Sequence, residues 1–160
     1  MRRGATSIID SVRALLARGE PAFPLAGLVG FTVTRIERGR VVVEFEATEH
    51  HTNPMGTLHG GVVCTLADTA MGLAHASILT AKESYATVDL KINFLRPVRR
   101  EKLRAIGKVV KAGKTLVLLE CDVLNDRDEL MARALSTSMT LRSEQRCQGA
   151  GPLAHTRDSV

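Results

Sequence analysis

The chain has 160 residues, 44 % hydrophobic and 24 % charged, which suits one globular domain with a sizeable core. No apolar run reaches the roughly 18–20 uncharged residues of a membrane span. The N-terminus lacks a compact apolar segment with a small-residue cleavage site, and three scattered cysteines (Cys64, Cys121, Cys147) argue against a disulfide framework or zinc knuckle, so a cytoplasmic protein with reduced thiols is expected.

Residues 6–18 read as an amphipathic helix, with Ile8, Ile9, Val12, Leu15 and Leu16 at helical spacing and Gly19 then Pro21 ending it. A Pro- and Gly-bearing approach over 22–30 leads to two strands, 31–37 and 41–47, joined by a turn at Gly39. The polar loop 48–58 precedes a long helix over roughly 59–79. Four strands follow. In 86–94 the even positions are apolar (Ala86, Val88, Leu90, Ile92, Phe94), so that face is expected to be buried. Strands over 102–109, 115–123 and 130–141 alternate similarly, with an Asn-Asp-Arg-Asp turn at 125–128. From Ser143 the pattern dissolves and a disordered tail, 143–160, is expected. Helix, two strands, long helix, then four strands gives an α+β fold, one antiparallel sheet on one long helix. Residues 1–26 form an N-terminal helix and approach, and 27–142 form the domain.

The net charge of +5 is uneven: Arg96, Arg99, Arg100, Lys102, Arg104, Lys108, Lys111 and Lys114 stand against Glu101 alone. An anionic partner and a merely solvated strand face both fit this run. Nucleic acid is disfavoured, because aromatic residues total only 3 % and no stacking platform is visible. Lys111-Ala-Gly-Lys-Thr115 lacks the upstream glycine of a nucleotide-triphosphate loop and reads as a hairpin turn.

The chemistry concentrates in the long helix. Asp68 is its one formal charge from Gly60 to Leu79, and a lone carboxylate in apolar surroundings is costly unless it is paired or used. It reads either as a capping aspartate or as a general base or nucleophile. Gly60 and Gly61 either permit close packing or offer open backbone donors at the positive end of a helix dipole, suited to an oxyanion. His59 is a helix-start residue or polarises substrate. Asn53 is a turn former or holds water or a carbonyl. Eight residues separate Gly60 from Asp68, about 12 Å along one helix, whereas reacting groups must approach to about 3–3.5 Å. One chain's pair therefore cannot easily hold one carbonyl, but two antiparallel helices across a two-fold axis can. His50, His51, His59 and Glu49 lack the i,i+4 spacing of a metal site. No metal or other cofactor is expected.

Asn53-Pro-Met-Gly56-Thr-Leu-His59-Gly60-Gly61, followed by Leu66-Ala-Asp68-Thr-Ala, resembles the signature of hotdog-fold acyl-CoA thioesterases of the phenylacetate-pathway (PaaI-like) group. The similarity extends to Thr87-Val-Asp-Leu90, Phe94-Leu-Arg-Pro97 and the Gly113-Lys-Thr115 turn, covering roughly residues 27–141. It implies a curved antiparallel sheet wrapped around a long central helix, in a homodimer assembled further as a dimer of dimers. It also implies Asp68 as the catalytic carboxylate, Gly60 as the N–H polarising the carbonyl, Asn53 and His59 lining the site, and Thr87 orienting water. With Arg96, Arg99 and Lys114 as candidates for the CoA phosphates beside Gly113, the expected function is acyl-CoA hydrolysis, with neither nucleic acid nor membrane as partner. A non-catalytic acyl-ligand sensor on the same groove is the alternative, and a hotdog dehydratase is weaker. The acyl group, aromatic or medium-chain, is not given by the sequence.

Overall fold

The computed structural model describes residues 6–142, so the expected tail lies outside the described residues. Helix α1 (Ile8–Ala17) starts at Ser7, whose side chain accepts from the Asp10 N–H. A short helix α2 (Pro24–Val29) occupies the segment read above as an irregular approach. Its signals are Pro24 in the first turn and Gly30 just past the end at φ +86°, the asymmetry that starts and stops helices. Six strands follow: β1 (Phe31–Glu37), β2 (Arg40–Glu46), β3 (Glu83–Phe94), β4 (Lys102–Ala112), β5 (Leu116–Asn125) and β6 (Leu130–Arg142), with α3 (Gly60–Ala76) between β2 and β3.

All strand pairs are antiparallel, in the order β1-β2-β4-β5-β6-β3. Six strands at about 4.8 Å spacing span over twice the roughly 10 Å width of a helix. Yet α3 touches every strand, so the sheet must curve around it. This is the wrapped arrangement that the resemblance implies. A helix apolar on all sides belongs inside, and α3 is buried continuously from Ala70 to Ala76. The closest approach is at Gly107 of β4, where a Cβ would stand 2.3 Å from the Ala70 carbonyl carbon. Val41, Val43, Leu103, Ala105, Val117, Leu119, Cys121 and Val123 complete the inner sheet face, and Ile9 and Val12 of α1 join the same core.

Strand β3 corrects one expectation. Its even positions do not form a buried face: Val88 and Phe94 are each 55 % exposed. The strand lies at the sheet edge, and a bulge between Thr87 and Asp89 shifts the alternation partway along. Tyr85 and Thr87 share one face before the bulge. The half-buried Leu90 and Ile92 share a face after it.

Candidate active site

The loop before α3 is closed by Asn53. Its side-chain oxygen accepts from the N–H groups of Met55 (2.9 Å) and Thr57 (3.3 Å), and its amide donates to Thr57 Oγ1 at 2.9 Å. The backbone N–H groups of Leu58 and His59 then bond the carbonyls of Val98 and His51, which anchors the helix start. His59 caps α3: its Nδ1 accepts from the Gly61 N–H at 2.9 Å, so the neutral ring carries its proton on Nε2. The Val62 N–H is taken by the His59 carbonyl. The N–H of Gly60 has no partner among the described residues. Gly60 itself lines a cavity of about 330 Å³ together with Asn53, Phe94 and Arg96. Glu49 pairs instead with Arg100 at 2.5 Å, and His51 caps the Thr48 turn through Nδ1.

Asp68 sits two turns further along α3, half-buried. Thr87 Oγ1 donates to Asp68 Oδ1 at 3.0 Å, and no basic side chain pairs with this carboxylate among the described residues. The bulge aims Thr87, and β6 holds the bulge. Ser138 and Ser136 donate to the flanking carbonyls of Ala86 (3.0 Å) and Asp89 (2.7 Å), and Asp89 Oδ1 accepts the Thr137 N–H at 2.9 Å. Two apolar-context groups share the carboxylate's surroundings. Burial, and then the Asp68 charge, push the Tyr85 phenol up to about 12. Burial and Asp68 also raise the Cys64 thiol, one turn before Asp68 on α3, against a backbone hydrogen bond that lowers it.

The remaining candidates lie elsewhere. Arg96 lines the Gly60 cavity, but its guanidinium is engaged by Glu129 at 3.0 Å. Gly113 and Lys114 form the β4–β5 hairpin and line a separate cavity of about 460 Å³ beyond the C-terminal end of α3, beside Ile78 and Leu79. Within one chain the candidates thus fall into three groups: Asn53, His59, Gly60 and Arg96; Asp68 and Thr87; Gly113 and Lys114. The α3 rise alone sets the first two groups about 12 Å apart along the helix.

The residue reading missed Tyr85 and Phe94. Phe94 was placed on a buried face, yet its ring lies against Gly60, where a Cβ would meet Phe94 Cζ at 3.0 Å. Tyr85 approaches Gly72, where a Cβ would stand 2.6 Å from the phenol oxygen. The available signal was weak: Tyr85 is the chain's one tyrosine, two residues from Thr87 in a strand.

Residues 55–132 match the thioesterase superfamily. Human acyl-coenzyme A thioesterase 13 is 32 % identical over 125 residues, covering 75 % of this chain and 86 % of that protein. A proposed esterase of Saccharolobus solfataricus is 30 % identical over 135 residues, 84 % of this chain and 96 % of the other. The solved structure of the E. coli PaaI protein from the phenylacetic acid degradation operon superposes with a TM-score of 0.73 at 23 % identity, covering 84 % of this chain and 93 % of PaaI, and so shares its fold. By sequence and architecture this chain belongs to the thioesterase superfamily and is a hotdog-fold thioesterase.

Proposed function

We propose that this protein hydrolyses acyl-CoA thioesters at a site shared by two protomers, with Asp68 of one acting opposite the Gly60 N–H of the other. The observation that carries this reading is a half-buried carboxylate held by a threonine hydroxyl and by no cation among the described residues. The open Gly60 N–H on the same helix supports it. Thr87 anchors Oδ1, which leaves Oδ2 to take a proton from water. The water oxygen bonds to the thioester carbon, and the carbonyl electrons move onto oxygen, facing the partner's Gly60 N–H and the positive end of its helix. Collapse breaks the C–S bond, and the proton on Asp68 passes to the departing CoA sulfur. His59 holds the helix start open, and Asn53 shapes the wall of the cleft. In this reading residues 27–142 are the catalytic unit and residues 1–26 are an addition to it.

The dimer is supported by β3, a 12-residue edge strand exposing Val88 and Phe94. Such an edge offers unpaired backbone groups to a second copy. Lys114 and Arg99, neither in a salt bridge among the described residues, are the better candidates for the CoA phosphates, with Arg96 committed to Glu129.

The experiment is release of free thiol from a panel of acyl-CoAs. Asp68→Asn should fold, dimerise and bind substrate while losing about 10²–10⁴ in kcat. Near-normal turnover in that variant refutes the assignment. Flat wild-type traces with tight binding support the sensor alternative. Mixing Asp68→Asn with Gly60→Pro, which lacks the N–H, tests the shared site. Random re-pairing gives heterodimers with one intact site, restoring about a quarter of the wild-type rate; no recovery in confirmed heterodimers refutes sharing.

A further inference from the structure

A third cavity, about 420 Å³, lies between α1 and α3, walled by Ile8, Val12 and Leu15 of α1 with Phe23, Leu73 and Tyr85. We infer that this cavity takes the apolar acyl tail of the substrate, so that α1 sets acyl selectivity. The inference rests on the proposed hydrolysis and deepens it.

Three observations connect the cavity to Asp68. Asp68 and Gly72 are one helical turn apart, about 6 Å. Thr87 and Tyr85 are two strand residues apart, about 6.7 Å, on one face of β3. The two elements run side by side in opposite directions, because Thr87 bonds Asp68 while Tyr85 lies against Gly72. A tail leaving a carbonyl held at Asp68 would therefore run along α3 toward Leu73 and α1, passing over the Tyr85 ring that packs on Gly72 and forms the near wall of the cavity. The chemistry of the walls matches an uncharged tail. Six of the eight lining residues are aliphatic or phenylalanine, and Tyr85 and Ser11 supply the two hydroxyls. The phenol, held up to about 12, stays neutral at pH 7. The volume falls within the roughly 300–1,000 Å³ of small-molecule sites. Residues 55–132, where the superfamily matches, do not include α1, so this wall is supplied by a segment outside that match.

The test compares kcat/KM for decanoyl-CoA and acetyl-CoA in wild type, Ser11→Phe and Leu15→Ala. Ser11 is exposed at the cavity rim and Leu15 is half-buried, so neither change strikes the centre of the core. Ser11→Phe fills the space and should lower the decanoyl-to-acetyl ratio at least about tenfold. Leu15→Ala widens it and should shift the best substrate toward bulkier tails. A ratio unmoved in both variants, with wild type active, overturns the inference and leaves the hydrolysis standing. Should wild type hydrolyse no acyl-CoA, calorimetry with decanoyl-CoA decides the cavity separately. Binding weakened about tenfold in Ser11→Phe keeps it as an acyl site, and equal binding in the two proteins overturns it.

Discussion

Replacing Gly107 by alanine inserts one methyl group where β4 and α3 meet backbone to backbone. The added carbon would stand 2.3 Å from the Ala70 carbonyl carbon, 2.4 Å from its oxygen and 2.6 Å from the Met71 nitrogen. Ordinary contact begins at 3.4 Å, so the helix must retreat by roughly 1 Å, and no rotamer relieves a clash between two backbones. Overpacking of a close-packed core costs typically about 1–3 kcal/mol, and a collision with backbone belongs at or above the upper end. At about 3 kcal/mol the thermal midpoint falls by roughly 6–12 °C for a chain of this size. Activity should fall further than stability. Ala70 follows Asp68 by two residues, so the same retreat moves the carboxylate from Thr87; with Asp68 as the proposed base, a 1 Å misplacement of a reacting group costs on the order of 10²-fold. The assay is urea unfolding followed by far-UV circular dichroism, with kcat measured well below the transition. A midpoint within experimental error of wild type, at unchanged slope, refutes the claim that Gly107 sets the helix–sheet distance. Gly60→Ala is the internal contrast. Its added carbon meets the end of the Phe94 side chain at 3.0 Å, and that side chain is 55 % exposed and free to swing, so stability should hardly change.

Thr87→Ala removes the bond to Asp68 and should lower kcat by about 10- to 100-fold at similar KM, while Thr87→Ser should recover most of it; equal loss in both would assign Thr87 to packing alone. Fully buried His75 is bonded to Ser138 (2.9 Å) and Thr140 (3.1 Å), and burial holds its pKa below the ordinary 6.5 despite the opposing pull of Glu83. The unfolded chain therefore binds a proton there first. The contribution of His75 is complete above pH 6.5 and is lost as pH falls through its folded value, so urea midpoints should decline below pH 6.5 in wild type. His75→Gln should be less stable throughout and flat in that window until the carboxylates titrate; Glu83, held below 4.5 chiefly by the Thr80 N–H, contributes only at lower pH. If Lys114 meets a CoA phosphate, Lys114→Ala should raise KM several-fold with kcat unchanged and weaken the dependence of KM on salt; an unaltered salt dependence removes it from the site.

Much of the fold was legible because its signals are local. The bounds of β1 follow from alternation and the Gly39 turn, and α3 follows from an apolar run, charged only at Asp68, after a helix-start residue. Helix α2 was missed because six residues carry too little periodicity to announce a helix, although Pro24 and Gly30 mark its ends. The bulge in β3 was invisible for a different reason. The groups that hold it lie on β6, where Ser136 and Ser138 donate to β3 carbonyls, and nothing in residues 86–94 encodes that partner.

That bulge also explains why the site could be read only in part. Asp68 stands out as a charge in an apolar helix, and Gly60 as a donor at its start, both properties of a single segment. Thr87 and Tyr85 reach Asp68 and Gly72 through strand register, and register belongs to the pairing of β3 with β6. Without the bulge, Thr87 and Leu90 could not both direct their side chains inward, since they are three apart in a strand of period two. The inserted residue lets one half of β3 present Tyr85 and Thr87 to α3 while the other half packs Leu90 and Ile92 against the core. The price of that switch is an exposed Val88 at the edge. The same irregularity that places the hydroxyl against the carboxylate therefore leaves Val88 exposed on the edge strand. The bulge thus ties the placement of Thr87 against Asp68 to the exposure of Val88, on the edge along which the proposed second protomer would pair.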